Sequence, residues 1–155
     1  MLTIRQAQTD QEIAQIRELF REYEAWLGLD LCFQGFEDEL AALPGKYAVA
    51  EGRLLLATGS GSAAGCIALR KINQNICEMK RLFVRDQFRG LGIGCRLIER
   101  LITEAVEARY TAIRLDTFPA SMKKAVSLYE AHGFQVISPY YENPHHDIVF
   151  MELVL

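Results

Sequence analysis

Gln87-Phe88-Arg89-Gly90-Leu91-Gly92-Ile93-Gly94 joins an apolar strand ending Leu82-Phe83-Val84 to a long amphipathic helix. Glycines at 90, 92 and 94 let the backbone approach a ligand closely and turn several N–H groups toward one point. The helix that opens there adds the positive end of its dipole. Arg85, Arg89 and Arg96 gather at the same end, where cations oppose the dipole. A negatively charged group, phosphate or pyrophosphate, is the expected occupant.

Upstream, residues 2–7 predict a short strand, and Thr9-Asp10-Gln11-Glu12 has the spacing of a capping box. Ile13, Ile16, Phe20, Tyr23 and Leu27 then make one apolar helical stripe. Residues 28–45 lose that regularity, apart from a short helix at 36–43, and are expected to face substrate. Strands at 54–58, 65–71 and 76–84, joined by short turns, predict an antiparallel meander. The helix at 92–109 is long enough to return the chain parallel to the preceding strand, at 112–116, with a right-handed crossover as the default. Ser121 is placed to cap a further helix bearing Met122, Ala125, Val126 and Tyr129 on one face, stopped by Gly133 with Phe134 packing back. Strands at 135–137 and 148–155 flank the loop 138–147.

The chain has 155 residues, half of them hydrophobic and 24% charged, which suits one soluble domain spanning 1–155. A net charge of -3 gives no general attraction to nucleic acid. Cys32, Cys66, Cys77 and Cys95 have neither zinc-ligand spacing nor a disulfide pattern and read as buried thiols in a reducing compartment. Met1-Leu2-Thr3-Ile4-Arg5 lacks a signal-peptide core, and the longest uncharged run, 54–69, is broken by Gly59, Gly61 and Gly65. No membrane association and a cytoplasmic location are expected.

The stretch from Gln87 to Gly92 fits a glutamine or arginine, two residues, glycine, one residue, then glycine or alanine. It resembles the acyl-CoA signature of the GNAT N-acetyltransferases, and the order of predicted elements is similar to that family from end to end. The resemblance implies an α/β fold whose mixed central sheet has an antiparallel meander, a central parallel strand pair and flanking helices. It implies acetyl-CoA as cosubstrate, no metal, and a small-molecule or protein amine as acceptor, attacked directly in a ternary complex; it is compatible with a homodimer. The implied cofactor contacts are Leu82, Phe83, Val84, Gln87, Phe88, Arg89, Gly90, Leu91, Gly92, Ile93, Gly94 and Cys95. Backbone groups of Leu82 and Val84 would hydrogen-bond the pantetheine arm as a neighbouring strand does.

Strict alternation places Glu78, Lys80, Leu82 and Val84 on one side of their strand and Met79, Arg81 and Phe83 on the other. Glu78 stands where family members place a general base, although Lys80 or Arg70 would make it an ion-pair partner instead. Leu128-Tyr129 with Gly133-Phe134 resembles the family's second signature, which implies Tyr129 as the acid that protonates the departing thiolate; a core tyrosine would show the same spacing. Met122 departs from the asparagine often found there, and core packing suffices to explain it. His145-His146-Asp147 lacks metal-ligand geometry and reads as a solvated loop. Tyr140, Tyr141 and His146 with Trp26, Phe33 and Phe36 are candidates for the acceptor pocket, and Glu37, Asp38 and Glu39 would draw a cationic amine. Two other classes compete: a silent acyl-CoA sensor, and a dinucleotide-binding oxidoreductase in which Cys95 would sit at the third-glycine position and Asp116 at the end of the next strand.

Overall fold

The computed structural model describes residues 1–28, 31, 35–120, 122–145 and 147–155. Its elements run β1 (Leu2–Gln6), α1 (Asp10–Leu27), α2 (Phe36–Ala42), β2 (Arg53–Gly59), β3 (Ser62–Lys71), β4 (Ile76–Val84), α3 (Ile93–Glu107), β5 (Ala112–Thr117), α4 (Lys123–Ala131), β6 (Gln135–Ile137) and β7 (Val149–Val154). One seven-stranded sheet has the order β1-β2-β3-β4-β5-β7-β6. Every pair is antiparallel except β4 with β5. A single parallel pair within a meander rules out the doubly wound sheet that a dinucleotide fold requires.

Both faces of the sheet are buried. Leu54 and Leu56 of β2 join Ile16, Leu19 and Phe20 of α1 and Phe36 and Leu40 of α2 in one core. The alternate residues Leu55 and Ala57 join Leu97, Ile98 and Leu101 of α3 with Ile113, Leu115 and Met151 in the other. That is why Leu54-Leu55-Leu56-Ala57 is continuously apolar: a strand covered on both sides has no face to leave polar. Helix α1 starts as its sequence predicts, with Glu12 N–H donating to Thr9 Oγ1 at 3.1 Å and Thr9 N–H donating back to Glu12 Oε1 at 3.1 Å. Helix α4 stops at Gly133, whose φ of +95° carries the Phe134 N–H back to Tyr129 O at 3.1 Å. Its expected cap, Ser121, lies outside the described residues.

Strand β4 departs from strict alternation. Cys66 pairs with Phe83 and Ala68 with Lys80, so two steps along β3 face three along β4. The extra residue makes a bulge at Arg81, whose φ is +61°. Past it the faces are exchanged: Met79 and Phe83, expected on one side, lie in different cores. Lys80 and Arg81 therefore both serve the α1 and α2 side, while Leu82 and Val84 turn toward α3. Strands β4 and β5 separate in the same region, since their pairing ends at Glu78 opposite Arg114. The result is a fork in the middle of the sheet.

Candidate active site

The fork is walled by Met79, Lys80, Arg81 and Leu82 of β4, by Leu115 and Asp116 of β5, and by Tyr129 of α4. It holds a pocket of about 20 Å³, enough for about one water molecule. Leu82 and Met122 belong also to the wall of a larger groove of about 410 Å³ that runs toward the start of α3. The two spaces share that wall between the fork and the helix terminus.

The groove is floored by Leu82, Phe83, Val84, Phe88, Arg89, Gly90, Gly92, Ile93, Gly94 and Cys95, and walled on the other side by Ala125 and Leu128. Gln87 and Leu91 of the expected contact set are exposed and lie outside this lining. Gly90 and Gly92 have φ of +79° and +77°, backbone that a side chain disfavours by about 1–2 kcal/mol. Gly92 caps α3 without any side-chain hydrogen bond, so the first N–H groups of the helix present their positive end to the groove. Arg89 lies over the Trp26 ring at 5.0 Å and lines the groove. Arg85 does not serve the anion: it is held by Glu22 at 2.6 Å, Glu18 at 3.1 Å and the Ala63 carbonyl at 3.0 Å. Arg96 is exposed on α3 and is absent from the groove lining.

At the opposite end of the fork, Glu78 is buried and both of its oxygens are engaged. Arg70 Nε donates to Oε1 at 2.8 Å, the Tyr140 hydroxyl donates to Oε2 at 2.6 Å, and Lys80 Nζ stands 3.8 Å away. Burial pushes its carboxyl up, but Lys80, Arg70 and Tyr140 together outweigh that and hold it below the usual range. The ion-pair geometry is the one observed. Asp116, on β5, shows the reverse: burial dominates and its carboxyl is raised. The Tyr141 hydroxyl donates to Asp116 Oδ2, and Asn143 donates to Tyr141 at 2.7 Å, so the loop before β7 clamps both carboxylates. Lys80 is pushed down to about 8, first by burial and then by Arg81. Tyr129 is the buried residue of α4; burial drives its phenol well above the ordinary range, which keeps the hydroxyl protonated.

Tyr140 and Tyr141 thus reach the fork from the loop, where the sequence placed them. Trp26 does not: it stands 6.0 Å from Phe83 and lines the larger groove. Phe36 is a core residue under Arg81, with its ring 5.2 Å from the guanidinium. Two members of the acidic run are already paired with arginines. Glu39 makes a two-pronged buried pair with Arg81, both bonds 3.0 Å, and Glu37 faces Arg21 at 3.5 Å. His145 packs edge-on against Phe118 at 5.4 Å; Phe33 and His146 lie outside the described residues. Sequence reasoning missed Lys80 and Asp116 as site groups. Asp116 did carry a signal, the one acid of its strand, next to the buried Leu115.

The acetyltransferase (GNAT) family profile matches residues 13–134. An uncharacterized N-acetyltransferase of Dictyostelium discoideum is 34% identical, with 94% of this chain and 95% of that protein aligned. A second uncharacterized N-acetyltransferase, from Schizosaccharomyces pombe, is 36% identical over 98% of this chain and 94% of its own length. Among solved structures, an acetyltransferase from Streptococcus agalactiae superposes with a TM-score of 0.82 at 24% identity, covering 99% of this chain and 98% of that one. The fork, the glycine turn and the groove between them are thus set in a shared architecture, and this chain belongs to the GNAT acetyltransferase family.

Proposed function

We propose that this protein transfers the acetyl group of acetyl-CoA to a primary amine by direct attack in a ternary complex. The observation that carries the reading is the end of β4–β5 pairing at Glu78, which leaves the β4 edge from Met79 to Val84 without a strand beside it. An extended pantetheine arm supplies that missing strand through main-chain hydrogen bonds to Leu82 and Val84. The pyrophosphate then meets the N–H groups at Gly90, Gly92 and the first turn of α3, and the thioester reaches Leu82 at the bulge. Neither Arg81 nor Leu82 has a ladder partner, so N–H groups there are placed to stabilise the oxyanion.

Tyr129 holds a proton beside the fork and donates it to the departing thiolate. Of the two carboxylates, Asp116 takes the proton of the attacking ammonium, because its affinity for a proton is raised while that of Glu78 is lowered. Glu78, the base expected from sequence, keeps its charge and fixes Arg70 and Tyr140 around the acceptor entrance. The test is release of free CoA by the purified chain from acetyl-CoA against a panel of primary amines, with mass measurement of the acetylated amine. Amine-dependent release supports the enzyme. Acetyl-CoA binding without release for any amine of the panel supports the silent sensor instead.

A further inference from the structure

Cys95 and Glu99 stand one turn apart on the same face of α3, and His132 closes α4 opposite them. Cys95 Sγ is 3.5 Å from Glu99 Oε1 and 3.5 Å from His132 Nε2, and the three donor atoms lie within 4.8 Å of one another. The other ring nitrogen, His132 Nδ1, is 2.8 Å from the Leu128 carbonyl. A carbonyl only accepts, so Nδ1 carries a hydrogen, and that bond aims Nε2 at the sulfur. The sulfur is flanked by a carboxylate oxygen and an imidazole nitrogen, three donor atoms of different chemistry converging on one point. A cation bound among the three would be shared by all of them.

The distances suit a particular class of cation. Metal–sulfur and metal–nitrogen bonds of about 2.3 and 2.0–2.1 Å meeting at a tetrahedral angle set sulfur and nitrogen roughly 3.5 Å apart. A thiolate, an imidazole and a carboxylate together favour zinc over magnesium or calcium. A histidine whose second nitrogen donates to a backbone carbonyl is the usual arrangement for a ligand held in place by its outer shell.

We propose that Cys95, Glu99 and His132 bind a zinc-class divalent ion with three protein ligands and one open position. The ion clips the first turn of α3 to the end of α4, which are the two walls of the groove at Cys95 and Leu128. Binding displaces the Cys95 proton to solvent.

The test is a titration of the reduced, metal-free full chain with Co²⁺ alone, followed by displacement with Zn²⁺. The expected result is a near-ultraviolet sulfur-to-cobalt absorption at about one equivalent, lost in Cys95→Ser, with binding weakened roughly tenfold or more in Glu99→Gln and His132→Gln. Zn²⁺ should also raise the unfolding temperature of the wild type and leave that of Cys95→Ser unmoved. Glu99 is exposed, so its variant keeps the test open if a thiol variant folds poorly. Absence of the sulfur-to-cobalt band in the wild type, or a band that Cys95→Ser leaves intact, overturns the proposal.

Discussion

Tyr129 and the two fork carboxylates carry the residue-level account. Tyr129→Phe keeps the ring contact with Phe134, at 5.9 Å, and removes only the hydroxyl. Because thiolates leave readily, the expected loss in kcat is about tenfold, or about 1.4 kcal/mol of barrier, with acetyl-CoA affinity unchanged by calorimetry. Full activity across pH would return Tyr129 to a packing role. Asp116→Asn should lower kcat/KM for the amine by about 10²–10⁴-fold at neutral pH, with recovery as alkaline pH deprotonates the amine itself. Glu78→Gln should lose less and show no such recovery; the opposite ranking would restore Glu78 as the base. A fourth residue, Glu39, links charge to stability. Arg81 and Lys46 hold its carboxyl below the ordinary 4.5 despite burial, so its contribution is complete above that pH and lost as pH falls through the lower folded value. Glu39→Gln should therefore cost about 3–5 kcal/mol in urea unfolding near pH 7, and the gap from wild type should narrow below about pH 4. Glu78's partner Arg70 was readable from sequence as an alternative, whereas Asp116's neighbours come from a loop 25 residues further along.

At the level of elements, the start of α3 and the bulge in β4 do different work. Gly92→Val puts a β-branched residue where φ is +77° and crowds the pyrophosphate approach. The folded variant should bind acetyl-CoA at least tenfold more weakly by calorimetry; unchanged affinity would move the phosphate elsewhere. Helices α1 and α3 and strand β4 were legible because capping chemistry, period and turn residues agree at their ends. The bulge was not, since alternation assumes one residue per step and gives no sign that Arg81 adopts positive φ to meet Glu39 across 42 positions. Beyond the bulge, Phe83 lies 6.0 Å from Trp26, and Arg81 itself stands over the Phe36 ring at 5.2 Å. The metal cluster was invisible for a related reason: Cys95 and His132 lie 37 positions apart, and only the packing of α3 beside α4 brings them together.

For the whole molecule, the account has two substrates entering one cleft from opposite ends. In the proposed reaction, acetyl-CoA lies along the groove from Gly92 to Leu82, and the amine enters by Tyr140 and Tyr141. The glycine stretch and the element order made the cofactor half legible in sequence, because backbone approach to a phosphate demands glycine in a fixed place. The acceptor half was legible only in part, since its residues come from α4, β5 and an irregular loop with no periodic signal. Among the described residues of the groove lining, Cys95 supplies the thiol, and an acyl-enzyme would form there. The most direct test is therefore the initial rate measured over a grid of acetyl-CoA and amine concentrations, with mass analysis of the protein after acetyl-CoA alone. Direct transfer predicts reciprocal plots that intersect and a protein of unchanged mass; parallel plots with an acetylated protein would contradict it.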